Sequence, residues 1–258
     1  MTLQSKGQSE LMPSPFIAGY AARANEYVEA RPEYPAIILS ELPLADTIVE
    51  LGAGTGKFTQ LLASTGNRIL AVEPVREMAV RIPIGRFPNV SVVIGSAESI
   101  PAPDGCAGLV CCATAFHWFD YERATGEILR ILNEAGALAL IWNVRDDRVS
   151  WVAAFSRLLD DYAGDAPRQS SSAWRTIFSD TRFVLMTIGC YPFSQPMPTK
   201  GLVNRALSNS FIALLSQDEQ EIIRAKVMNI VNRDPQLAGK DSIDFPYVTE
   251  LYVFRRCT

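Results

Sequence analysis

The sequence predicts an α/β fold built on a doubly wound, mostly parallel sheet, and three observations predict it. Between Thr47 and Trp142, short apolar runs of strand type alternate with segments of helical period. The runs are continuously apolar, as strands covered on both faces are. The first of them ends in a glycine-rich turn, IVELGAGTG at 48–56, where such sheets hold ligands at the carboxyl ends of their strands.

TIVEL (47–51), RILAVE (68–73), VSVVI (90–94), GLVCCATA (108–115) and ALALIW (137–142) read as the strands. KFTQLLAST (57–65) and YERATGEILRILN (121–133) carry apolar residues at helical spacing, with Asp120 as N-cap of the second. Residues 1–45 fall outside this rhythm. There YAARANEYVEARPEYP reads as a helix, bearing Tyr20, Tyr27 and Arg31, that stops before Pro32 and serves as a lid. The domain proper then spans 46–258. Within it, residues from about 144 to 240 read as a helical cap, with a strand in RFVLMTIGCYPFSQ, set before a last strand in FPYVTELYVFRR.

The 258 residues, 48% of them hydrophobic, suffice for one large domain with a packed core. Lys and Arg number 24 against 28 for Asp and Glu, which argues against nucleic acid as a principal partner. No membrane span is expected, and the polar opening lacks the apolar stretch of a secretory signal, so a cytoplasmic protein is expected. Cys106, Cys111, Cys112, Cys190 and Cys257 show no C-x-x-C spacing, so neither metal ligation nor a disulfide framework is expected.

The glycine turn admits a ligand close to the backbone. A P-loop requires Ser or Thr after Gly56-Lys57, where Phe58 stands, and a glycine where Leu51 stands. A dinucleotide fingerprint counted from Gly52 and Gly54 requires glycine at Lys57. Glu50, just before the glycines, would oppose a pyrophosphate but suits a cationic ligand such as S-adenosylmethionine.

VELGAGTG, followed by Val72, Glu73 and Pro74, resembles motifs I and II of the class I S-adenosylmethionine-dependent methyltransferases. GSAESIP (95–101), ATAFHWFD (113–120) and LIWNVRD (140–146) are similar to the small-molecule branch that includes trans-aconitate-type and ubiquinone/menaquinone-type enzymes, as are ANEYVEARPEYP and LVNRALSNSFIALL. The resemblance covers most of the chain and implies a seven-stranded, Rossmann-like sheet. It places Glu50, Gly52, Ala53, Gly54 and Gly56 about the methionyl part of the cofactor, Glu73 on the ribose hydroxyls, and Pro74 and Met78 beside adenine. Ala113 and Thr114 at the fourth strand's end, and Tyr20 and Arg31 from the lid, complete the implied cofactor set. Many relatives carry an acid before the alanine that follows the third strand. Here Ser96 precedes Ala97 and the acid follows as Glu98, leaving the adenine amino group to Ser96, to backbone or to Glu98.

His117, the only histidine, is the candidate general base, with a pocket wall as the alternative. Trp118, Phe119, Trp142 and Trp151 are candidate walls of an apolar substrate site, and Arg31, Arg145 and Arg148 candidate carboxylate clamps for the substrate or the cofactor. Of these, Trp118, Phe119, Trp142 and Arg145 are the substrate-site expectation. The implied activity is methyl transfer to oxygen, or else nitrogen or carbon, of a small molecule, without a metal, by a monomer or homodimer. A cyclisation or rearrangement on the same cofactor, and a non-catalytic binding subunit, are the alternatives.

Overall fold

The computed structural model describes residues 31–170 and 173–257. Most of the expected lid, Tyr20 and Tyr27 included, lies outside them.

In chain order the elements are α1 (Ile37–Glu41), β1 (Thr47–Leu51), α2 (Lys57–Ala63), β2 (Arg68–Glu73), α3 (Arg76–Ala79), β3 (Val90–Ile94), β4 (Ala107–Ala113), α4 (Tyr121–Ile131) and β5 (Leu132–Arg145). There follow α5 (Ser150–Asp160), β6 (Phe183–Pro198), α6 (Gly201–Leu207), α7 (Ser210–Ala213), α8 (Gln217–Arg233) and β7 (Ser242–Arg256). The seven strands form one sheet in the order β3-β2-β1-β4-β5-β7-β6. β1 to β5 pair in parallel, and β7 runs antiparallel between β5 and β6. The expected seven-stranded, mostly parallel sheet is therefore present.

The order reverses at β1, whose other neighbour is β4, so a crevice opens at the carboxyl ends of β1 and β4. Val49, Leu51, Val110, Cys112, Leu138 and Leu140 point to one face of the sheet, and Ile48, Leu109, Cys111, Ala139 and Ile141 to the other, each set in its own core. Cys111 and Cys112 are wholly buried and behave as small hydrophobes. A further core lies under the cap, where Trp151, Phe155, Leu202, Val227 and Phe245 pack together. The hairpin of β6 and β7 reaches past β5 to build it: Ser242–Pro246 pair with β6 alone.

Several boundaries differ from the sequence expectation, and at two of them the backbone shows the cause. The fourth strand ends at Ala113 because Thr114 has φ 56°, a left-handed conformation that costs a β-branched residue about 1–3 kcal/mol. The helix expected to reach residue 133 ends at Ile131, and the chain becomes extended at Leu132 to enter β5. Its start is as expected, since the Asp120 carboxylate accepts the Arg123 N–H at 3.2 Å.

Asp120→Ala leaves that first-turn donor without its acceptor. It should cost about 1 kcal/mol and lower Tm by about 2–4 °C, measurable by thermal unfolding.

Candidate active site

A cavity of about 580 Å³ occupies the crevice above β1, β2 and β4. Its floor is the glycine turn, laid against β2 by three bonds. Gly52 N and Ala53 N both donate to Val72 O at 2.9 and 3.1 Å, and Gly54 N donates to Glu73 Oε2 at 2.7 Å. Gly52 and Gly54 have φ of +69° and +59°. A Cβ on Gly52 would come within 2.6 Å of the Ala115 Cβ, so this glycine also lets the chain leaving β4 pack on the loop. Gly56 ends the turn and precedes α2.

Two carboxyl groups stand under this turn. Glu73 uses both oxygens locally, accepting from Gly54 N and, at 2.9 Å, from Val75 N. Burial raises its pKa, and those two N–H groups oppose the rise. Glu50 is 1% exposed and accepts the Thr59 hydroxyl at 2.6 Å. Burial pushes it up to about 8; the Thr59 bond pulls it down, and the Glu73 charge adds to the rise.

Pro74, Met78, Ser96, Ala97 and Glu98 line the side of the cavity beside β2 and β3. The Glu98 carboxylate accepts the Asp120 N–H at 3.0 Å, tying that wall to the start of α4. The opposite side is lined by Arg31, Tyr34, Ala113, Thr114, Trp118, Phe119, Asn143 and Arg205. Arg31 donates to Ser208 O and Asn209 Oδ1 at 3.2 and 3.4 Å. Tyr34 meets Phe58 edge-on at 4.9 Å, and its hydroxyl shares a 2.8 Å bond with Thr114 Oγ1. Asn143 donates to Glu33 O at 3.0 Å, while Glu33 also pairs with Lys57 at the start of α2. The segment 31–34 is thus tied to the glycine turn, β4, β5 and the cap.

Arg205, 3% exposed, donates from Nε to the Tyr247 hydroxyl at 3.0 Å. Nothing in the sequence patterning marks it as a site residue, nor Tyr34 or Asn143. Arg205 stands out only as a charge among Leu202, Val203, Ala206 and Leu207 on the apolar stretch of a helix, where a charged residue is unexpected.

Other expected residues lie off the lining. His117 sits just past β4, but its Nδ1 accepts the Trp142 indole N–H at 3.0 Å. Burial, and then the Arg31 charge, push its pKa down to about 3. The neutral ring then carries its proton on Nε2 and has no lone pair left to take another. This geometry speaks against the base, and because the ring is not among the lining residues it is not a pocket wall either. Trp142 is 1% exposed and packs on Trp174 with ring centroids 4.4 Å apart. Trp151 lies in the cap core against Phe245. Arg145 donates to Ser156 Oγ at 2.7 Å behind the cavity, and burial together with the Arg205 charge lowers its pKa to about 10. Arg148 is exposed and paired with Asp146.

The residues present fit S-adenosylmethionine. The turn leaves room that a Cβ would fill, the carboxyl groups suit a cationic ligand, and Glu73 retains lone pairs for two ribose hydroxyls. The Thr55 hydroxyl, buried in the same loop, has no hydrogen-bond partner among the described residues. No cluster of three or more His, Cys, Asp or Glu residues that could hold a metal occurs among the described residues.

A seven-stranded sheet of this order, with a glycine turn after β1 and an acid ending β2, defines an S-adenosylmethionine-dependent methyltransferase. The family model described as "Methyltransferase domain" matches residues 49–140. The chain is similar to methyltransferase-like C25B8.10 of Schizosaccharomyces pombe, 39% identical over 231 residues, 87% of this chain and 90% of that protein. It is also similar to methyltransferase Mb3374 of Mycobacterium bovis, 28% identical over 89% of this chain and 92% of that one. Among solved structures, a type II methyltransferase assigned in Anaeromyxobacter dehalogenans superposes with TM-score 0.66 at 20% identity, covering 87% of this chain and 96% of that one. The chain belongs to the S-adenosylmethionine-dependent methyltransferase family, and S-adenosylmethionine is its methyl donor.

Cofactor binding should depend on pH through Glu50. Unfolded, it titrates near 4.5; folded, at about 8. The folded cofactor-free protein therefore holds the extra proton in that window, and Glu50's contribution to stability falls as pH rises through it. A cationic ligand favours the ionised carboxylate, so cofactor affinity should rise from about pH 6 to about pH 9, with proton release on binding. Calorimetry in buffers of different ionisation enthalpy reads both, and Glu50→Gln should flatten the profile.

Proposed function

We propose that the protein methylates an oxygen of a small molecule that carries an anionic group. The observation that carries this reading is the division of charge across the cavity. Every acid of the lining, Glu50, Glu73, Glu98 and Asp120, stands on the side of the glycine turn, β2 and the start of α4, where Lys57 and Arg123 also stand, whereas the half beneath the cap carries Arg31 and Arg205 and no acid. A guanidinium offers a carboxylate paired donors in a plane, which fixes direction as well as charge. The volume supports a small acceptor, since about 580 Å³ must hold the donor as well.

S-adenosylmethionine, when bound, supplies an electrophilic methyl group on a sulfonium. The chain's own part is to hold and align. Arg205 and Arg31 would hold the acceptor's anionic group, and Trp118 and Phe119 would exclude water from its path. An oxygen that is already ionised needs no base. This agrees with a His117 ring whose Nδ1 is engaged by Trp142. His117 and Trp142 then support the pocket from behind, and Arg145 stiffens the cap side through Ser156 and Asp147.

Incubation with S-adenosylmethionine and a panel of small carboxylic acids and their primary amides, read as S-adenosylhomocysteine formed, tests this proposal. Acids should be methylated and amides not, and Arg205→Met should raise KM at least about tenfold with cofactor affinity unchanged. Equal turnover of acids and amides would refute the anionic acceptor.

A further inference from the structure

Asn209 stands in the loop between α6 and α7, 5% exposed, immediately before the first residue of α7. Asparagine at such a position ordinarily turns its side chain onto the N–H groups of the helix it precedes. This one makes no such bond. Its Nδ2 instead donates backward to Arg205 O and Ala206 O at 3.2 and 2.8 Å, and its Oδ1 accepts a longer bond from Arg31 at 3.4 Å. Carbonyls only accept and a guanidinium only donates, so the three contacts fix which way the amide faces.

The neighbouring residue completes the unit. Ser208 Oγ donates to Arg205 O at 2.9 Å, and Ser208 O accepts from Arg31 at 3.2 Å. The last turn of α6, which carries the Arg205 side chain, is therefore closed by the same two residues that hold the Arg31 guanidinium. Two arginines from distant parts of the chain meet across this short stretch, and both line the cavity.

We propose that Asn209 is the positioning residue of the acceptor site: its amide sets Arg31 and Arg205 relative to each other and, being neutral, leaves their charge to an anionic acceptor. Asn209 is not itself in the lining, so it acts through the two arginines. Aspartate has nearly the same shape and caps helices as well as asparagine. At 209, however, it would lay a carboxylate against Arg31 and against two carbonyl oxygens that now receive a donor. An acid would then stand behind the arginines of a half-cavity whose lining carries none, and would oppose a bound anion. The proposal rests on the reading of the acceptor as an anion and names the residue that keeps that half selective.

Steady-state kinetics with a methylated acid as substrate and its primary amide as competitive inhibitor, on the wild type, Asn209→Asp and Asn209→Ser, test it. Titration of S-adenosylhomocysteine and Tm check the donor half and the fold. Asn209→Asp should raise KM for the acid at least about tenfold with kcat little changed, while the inhibition constant of the amide does not rise. Asn209→Ser removes the amide and adds no charge; it should raise KM for the acid about threefold, again without weakening the amide, and it decides the matter if Asn209→Asp does not fold. Acid and amide weakened alike would mark Asn209 as merely structural and overturn the inference. So would an affinity for S-adenosylhomocysteine that falls while KM for the acid holds. A wild type that binds acid and amide equally would refute the anionic acceptor and this inference with it, whereas a wild type that prefers acids, beside variants with the same preference, would refute this inference alone.

Discussion

The glycine turn is held on β2 by the bond from Gly54 N to the Glu73 carboxylate, and the rest of the site depends on that contact. It sets the Glu73 carboxylate and the backbone that a ligand must approach in one geometry. The arrangement needs left-handed backbone at Gly52 and Gly54, and it needs the Gly52 side-chain position empty so that Ala115 can close from β4. Glu50 is buried in the same act. An acid held in apolar surroundings by a single hydroxyl is electrostatically costly, and such residues persist where a ligand of opposite charge compensates them.

The sheet supplies position and the cap supplies selection. Reversal of strand order at β1 leaves the crevice that the glycine turn floors. The β6–β7 hairpin extends beyond β5 and, with α5 to α8, makes a second core from which Arg205 reaches the cavity. The residues that would face a donor therefore come from the ends of β1, β2 and β3, and those that would face an acceptor come from the segment after β4, from residues 31–34 and from the cap. Such a division lets acceptor chemistry vary while the donor half stays the same.

The donor half was legible in the sequence because its residues lie in local patterns. Continuously apolar strands and a glycine turn after an acid are short-range features, the resemblance to the methyltransferases added the residues from Glu73 to Glu98, and the structure brings Glu50, Gly52, Ala53, Gly54, Glu73, Pro74, Met78, Ser96, Ala97 and Glu98, though not Gly56, to the lining of one cavity. The acceptor half was legible only in part. Trp118 and Phe119 reach the lining, whereas Trp142 and Arg145 lie near it in sequence terms and behind it in space. Arg205 enters the cavity through packing of the cap, and Asn143 from the end of β5, placements that no local spacing encodes. The left-handed Thr114 was invisible because CCATA reads as an uninterrupted strand. No helix among the described residues is long and apolar enough to cross a membrane.

The central proposal is that Glu73, which anchors the glycine turn, also receives the donor's ribose hydroxyls. Its most direct test is titration of S-adenosylhomocysteine into Glu73→Ala, with circular dichroism as a check on the fold. Loss of two hydrogen bonds to a charged acceptor, and of the turn's anchor, predicts an affinity at least about 100-fold lower in a protein that remains folded. Wild-type affinity in the folded variant would contradict the account.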